Sequence, residues 1–138
     1  MEPSSPSGGR ATFVADERSI GQARAFVASV IASWGAPNND DAVLLTSEAV
    51  TNAYLHASTT SVVVDVERSG ACVRVAVADE DPTHPVVRSA APDVPGGFGM
   101  RLIDSLSERW GIVDHAEDGK TVWFEVELQG TTPPGLIR

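Results

Sequence analysis

The 138-residue sequence predicts an α+β fold in two layers: a mixed, mostly antiparallel sheet with helices on one face. Three observations point that way. Strand-like and helix-like segments follow one another as strand, helix, helix, strand, strand, loop, helix, strand, strand. Two of the strand pairs are joined by connections far too short for a parallel crossover, at Ser69-Gly70 and Asp118-Gly119. The chain is also long enough for one real core and too short for two.

The elements follow in order. Residues 1–10, MEPSSPSGGR, are rich in Pro, Ser and Gly and read as a disordered tail. ATFVA (11–15) is a short strand. Ser19 is a candidate cap for a helix carrying Ile20, Phe26, Val27, Val30, Ile31 and Trp34 at helical spacing, closed by Gly35 and Pro37. Asn38-Asn39-Asp40 offers a cap and an acidic first turn to a second helix over roughly 40–57. SVVVDVE (61–67) alternates as a strand does and turns at Ser69-Gly70 into ACVRVAVAD (71–79). Residues 80–98 hold Pro82, Pro85, Pro92, Pro95, Gly96 and Gly97, which exclude regular structure; so long an irregular stretch in a small domain is usually functional or disordered. MRLIDSLSERW forms a third helix with Leu102, Ile103, Leu106 and Trp110 as its apolar stripe. GIVDHA and KTVWFEVEL make a hairpin, and residues 129–138 a second tail, so the domain proper is expected over 11–128.

Composition narrows the function. With 42% hydrophobic and 21% charged residues the chain reads as globular. A net charge of −9 with no basic patch argues against a nucleic-acid partner. No apolar run is long enough to span a membrane, and the N-terminus lacks the basic and apolar regions of a secretory signal, so a cytoplasmic location is expected. Cys72, the only cysteine, excludes an internal disulfide and is expected to be a small core residue. An acidic protein that binds a phosphate-bearing ligand must do so with backbone N–H groups, a metal ion and a few arginines; Lys120 is the only lysine.

The second helix carries the first sign of chemistry. LTSEAVTNAYLHA (45–57) is largely apolar, yet Glu48, Asn52 and His56 recur every four residues and so form one row. Glu48 and Asn52 lie ~160° or more from Val50 on the helix wheel, flanked by Leu44 and Leu55. Taken alone, the pair is more often a solvated surface or an arginine contact. A second sign is Asp79, a carboxylate at the tip of a buried strand, where it can accept from a ligand amine or simply cap a turn. A third is GGFGM (96–100): glycines just before a helix let backbone N–H groups approach phosphate, although a hinge needs the same residues. Arg101 follows and can reach an anionic oxygen or solvent.

In this order, these stretches resemble the GHKL ATPase/kinase superfamily, whose domain is the Bergerat fold, and within it the anti-sigma factor serine/threonine kinases of the SpoIIAB/RsbW type, especially the short actinobacterial members. SEAVTNAYLHA is similar to the family's N-box, VADEDP to its adenine-binding motif, GGFGMRLIDSLSERWG to its glycine-rich lid and following helix, and GKTVWFEV to its last strands. The resemblance implies ATP and Mg²⁺ as ligands. It implies that Glu48 is the general base, that Asn52 binds Mg²⁺, and that Asp79 accepts from the adenine amine. It places Gly97 and Gly99 beside the phosphates, with Met100 and Arg101 in the same nucleotide-binding set, and gives Thr121 an adenine contact through water. His56 matches a frequent N-box histidine without an assigned role. Two departures stand out: Glu80, Asp81 and Pro82 follow Asp79 where many members have glycines, and Phe98 stands between the lid glycines where a basic residue is common.

The function so implied is an ATP-dependent kinase that phosphorylates a STAS-type anti-anti-sigma protein and, ATP-bound, holds a sigma factor, commonly as a homodimer. The alternatives are a nucleotide-binding regulatory module without kinase activity, which the departures favour, and a scaffold acting by protein contact alone, which has no need of Glu48, Asn52, Asp79, Gly97 and Gly99 together.

Overall fold

Two valine-rich hairpin strands form the middle of the sheet. In β3 (Cys72–Asp79), and in β2 (Ser61–Ser69) as far as Val66, every second residue is buried: Val62, Val64, Val66, Val73, Val75 and Val77 are all at most 2% exposed. Gly70, at φ +63°, supplies the left-handed turn between them. The computed structural model describes residues 8–35, 40–56, 59–81 and 97–128. Around the central pair it adds β1 (Gly8–Val14) and, after the helices, β4 (Arg109–Asp114) and β5 (Lys120–Glu127). The strand order is β1-β2-β3-β5-β4, and every neighbouring pair is antiparallel. The sheet, expected to be mostly antiparallel, is uniformly so among the described residues.

Three helices, α1 (Glu17–Ser33), α2 (Asp40–His56) and α3 (Gly97–Leu106), cover one face. In α1, Ser19, Ala23, Val27 and Ile31 form a fully buried row at a spacing of four. Asp16, not Ser19, is the N-cap: its carboxylate accepts from the Arg18 N–H at 2.9 Å, while the buried Ser19 hydroxyl donates to the Asp16 carbonyl at 2.6 Å. From α2 the core takes Ala42, Leu45, Ala49, Val50 and Ala53, and from α3 Met100 and Ile103. Phe124 and Val126 of β5 complete it.

Several boundaries differ from the sequence expectation. β1 begins at Gly8 rather than Ala11, because Gly8, Gly9 and Arg10 pair with Glu67, Val66 and Asp65; three residues expected in the tail thus belong to the sheet. α3 starts at Gly97 and ends at Leu106, so Trp110 lies on β4 rather than on the helix. It returns to α3 through its indole N–H, which donates to Asp104 at 2.9 Å. Cys72 is half-buried on the outer face, since its neighbour Val73 takes the core side. Burial, and then nearby glutamates, push its thiol above the usual range, which leaves it protonated and a poor nucleophile.

The outer face is polar but not bare. Glu125, 3% exposed, accepts from Arg109 at 3.0 Å and from Arg74 at 3.4 Å, and the Arg74 guanidinium lies 4.0 Å from the centre of the Trp123 ring. A depression on that face is lined by Gly8, Arg10, Asp65 and Glu67, with Arg10 and Asp65 in an ion pair at 2.7 Å.

Candidate nucleotide site

The row on α2 survives folding. Glu48 and Asn52 are both half-buried, one turn apart, on a helix whose opposite side is in the core. The neighbouring hydroxyls are committed to the backbone: Thr46 donates to Ala42 at 2.7 Å and Ser47 to Val43 at 3.1 Å. Asn52 has no such outlet. Its carboxamide nitrogen is buried and makes no hydrogen bond, and Glu48 has no hydrogen-bonding or charged partner among the described residues. A buried amide without a partner is costly in a folded protein. The flanking residues are open: Leu44 is 40% and Leu55 60% exposed. His56 ends the helix, and its side chain lies outside the described residues.

Asp79 ends β3 on the helix side of the sheet, opposite Lys120 in the register. It is held on one oxygen. Oδ1 accepts from the Lys120 ammonium at 3.1 Å and from the Asp81 N–H at 2.8 Å, and Lys120 also donates to the Asp81 carbonyl at 3.1 Å. Lys120 and Asp79 are only 5% and 7% exposed. Gly119 lets them meet. Its φ is +116°, and a Cβ there would collide with the Asp79 carbonyl oxygen and come within 2.8 Å of the Glu80 Cα.

The acidic residues after Asp79 have structural work. The Glu80 carboxylate accepts from the Thr60 N–H at 2.8 Å and the Thr60 hydroxyl at 2.9 Å, and its own N–H donates to the Thr59 hydroxyl at 3.0 Å. These bonds tie the end of β3 to the segment leading out of α2 and hold the Glu80 carboxyl below its usual range. Glu80, one of the departures from the family pattern, thus clamps the end of β3 to the residues that enter β2.

Thr121 is not with them. Successive side chains alternate across a strand, so Thr121 points to the outer face with Ala78 as its partner, and its hydroxyl lies 2.8 Å from His115 Nε2. The position beside Asp79 belongs to Lys120. Met100 is 1% exposed in the core, so a nucleotide can meet only its backbone. Gly97 and Gly99 form the first turn of α3, which packs on α2. Arg101, half-buried on the next turn, already has an interaction partner. Residues 82–96, most of the irregular stretch expected after β3, lie outside the described residues.

Sequence reasoning missed Lys120, Gly119 and the Glu80 clamp. The available signal was a single lysine directly after the hairpin glycine and two residues before a buried valine.

Residues 13–126 match the family described as histidine kinase-like ATPase domain. The chain belongs to the histidine kinase-like ATPase family. Membership implies ATP binding. No curated protein matches the chain. Among solved structures it is similar to a blue-light activated histidine kinase of Erythrobacter litoralis, at 26% identity over 66% of this chain and 30% of that one, with a TM-score of 0.46. The isolated histidine kinase domain of that protein is 20% identical over 76% of this chain and 60% of that one, with a TM-score of 0.48. The chain thus spans about a third of the one and three fifths of the other. No helix among the described residues is long and apolar enough to cross a membrane.

Two groups fit the ATP that the family implies and the Mg²⁺ that the motif resemblance implies. The Asn52 carboxamide has an oxygen for a cation and an unpartnered N–H₂ for a phosphate oxygen. Asp79 keeps Oδ2 outside the Lys120 contact, and no group among the described residues donates to it.

Proposed function

We propose that this chain is an ATP- and Mg²⁺-dependent protein-serine/threonine kinase that phosphorylates a STAS-type anti-anti-sigma protein and, in its ATP-bound form, sequesters a sigma factor, working as a homodimer. The observation that carries the reading is the pair on α2: a carboxylate and an orphaned buried carboxamide, one turn apart, on a helix packed against the glycine-led α3. The motif resemblance supplies the partners.

The residues have distinct tasks. Asn52 would hold Mg²⁺ through its carboxamide oxygen; a single protein ligand suffices, because Mg²⁺ keeps waters and phosphate oxygens. The ion would neutralise phosphate charge as it develops. The free N–H groups of the first turn of α3 would face the phosphates. Glu48 would take the proton from the attacking serine hydroxyl as its oxygen bonds to the γ-phosphorus and the bond from that phosphorus to the ADP oxygen breaks. Asp79 would accept from the adenine amine through Oδ2.

The second reading, a nucleotide-dependent binding module without transfer, draws support from the Asp79–Lys120 pair, which already engages one oxygen of the base-reading carboxylate. One experiment separates the two: purified protein, labelled ATP and a STAS-type domain. Transfer of the γ-phosphate to a serine or threonine of that domain is expected. ATP binding without transfer to any such domain leaves the binding module.

A further inference from the structure

The buried Lys120–Asp79 pair has an unused donor next to an unused acceptor. An ammonium has three N–H groups. Lys120 directs one at Asp79 Oδ1 and one at the Asp81 carbonyl, both at 3.1 Å, which leaves the third without an acceptor among the described residues. On the carboxylate, Oδ1 accepts twice, from Lys120 and from the Asp81 N–H, and Oδ2 accepts from nothing among the described residues. Both side chains are more than nine-tenths buried, so water has little access to either group and a ligand edge can replace it at small desolvation cost. A lysine that merely neutralised Asp79 could reach out to solvent; this one is buried beside the carboxylate and held by the carbonyl of Asp81.

We propose that Lys120 reads the nucleotide base: its third N–H donates to a purine ring nitrogen while Asp79 Oδ2 accepts from the exocyclic amine beside that nitrogen. The inference rests on the nucleotide site proposed above and adds to it a specificity-determining residue. Adenine has such an amine between two ring acceptors, N1 and N7, so one donor and one acceptor side by side are complementary to either edge. The lysine thereby gives direct recognition at a place where a neutral side chain would have left it to water.

The test uses the full chain with Mg²⁺ and compares, by calorimetry, the affinities of ATP, 1-deaza-ATP and 7-deaza-ATP, each analogue lacking one acceptor. A hydrogen bond to a charged group corresponds to about tenfold or more in affinity. The expected result is that one analogue binds at least about tenfold more weakly than ATP, and that Lys120→Met binds ATP and that analogue alike. Equal affinities of the wild type for all three nucleotides overturn the proposal, as does a folded Lys120→Met that still discriminates. If Lys120→Met fails to fold by circular dichroism, the wild-type comparison decides alone. Absence of ATP binding altogether defeats the nucleotide site itself, an outcome distinct from equal binding.

Discussion

Lys120 Nζ lies 3.1 Å from Asp79 Oδ1, and the two residues face each other across the paired ends of β5 and β3. Both are buried, so neither charge is tolerable without the other. Removing Lys120 alone, or Asp79 alone, should destabilise the fold by about 3 kcal/mol, and the double variant Asp79→Asn/Lys120→Met should lose clearly less than the sum. Denaturant melts of the four proteins check this; strictly additive losses would show that the two groups do not interact.

Gly119→Ala should disturb the same pair from the backbone. The new methyl meets the Asp79 carbonyl oxygen, and φ +116° is strained for any L side chain. A loss of about 2 kcal/mol in thermal unfolding is expected, together with weaker ATP binding. A variant as stable as the parent would show that the hairpin moves freely away from β3.

The α2 row divides binding from chemistry. Asn52→Ala should remove the strengthening of ATP affinity by Mg²⁺, as followed by titration with and without the ion. Glu48→Gln should bind ATP normally and lose transfer by about 10²-fold or more, the usual contribution of a positioned base. If Glu48→Gln transfers phosphate at the parental rate, Glu48 is not the base.

Acid should loosen the clamp. The Glu80 carboxyl is held below its ordinary value by hydrogen bonds from Thr60 and Thr59. A depressed folded pKa means stability that is fully present above the ordinary glutamate value and is lost as pH falls through the lower folded one. Thermal melts across the acid range should therefore converge for the parent and Glu80→Gln below that window and differ at neutral pH. A constant difference at every pH would assign the effect to packing instead.

On the outer face, Glu125→Ala removes the carboxylate shared by Arg74 and Arg109. Because Arg109 is largely exposed, the loss is expected to be moderate, about 1–2 kcal/mol, or a drop of several degrees in melting temperature. An unchanged melting temperature would mean that water replaces the carboxylate at no cost.

Much of the fold was legible because its signals are local. The alternation in β2 and β3 and the spacing of four along α1 each follow from one periodicity, and both hairpins follow from their turn glycines. Boundaries were less legible where tertiary pairing overrides local preference. Gly8 and Gly9 look like tail residues yet pair with β2, and Trp110 continues a helical stripe yet is drawn into β4 by its pairing with Phe124. In the site, the Glu48–Asn52 row was visible because helical spacing alone sets it. The face that Thr121 takes is not legible locally, because a shift of one residue in a strand reverses it, and only the register with β3 shows that Lys120 lies opposite Asp79. The role of Glu80 is not legible in sequence, because its partners, Thr59 and Thr60, are some twenty positions away in the chain and next to it in space.

The measurement that tests the central claim most directly is calorimetric titration of ATP into the purified protein, with and without Mg²⁺. A saturable site that tightens with Mg²⁺, and loses that tightening in Asn52→Ala, is the result expected from the orphaned carboxamide on α2. Absence of binding at millimolar ATP, with the protein shown to be folded, would contradict it.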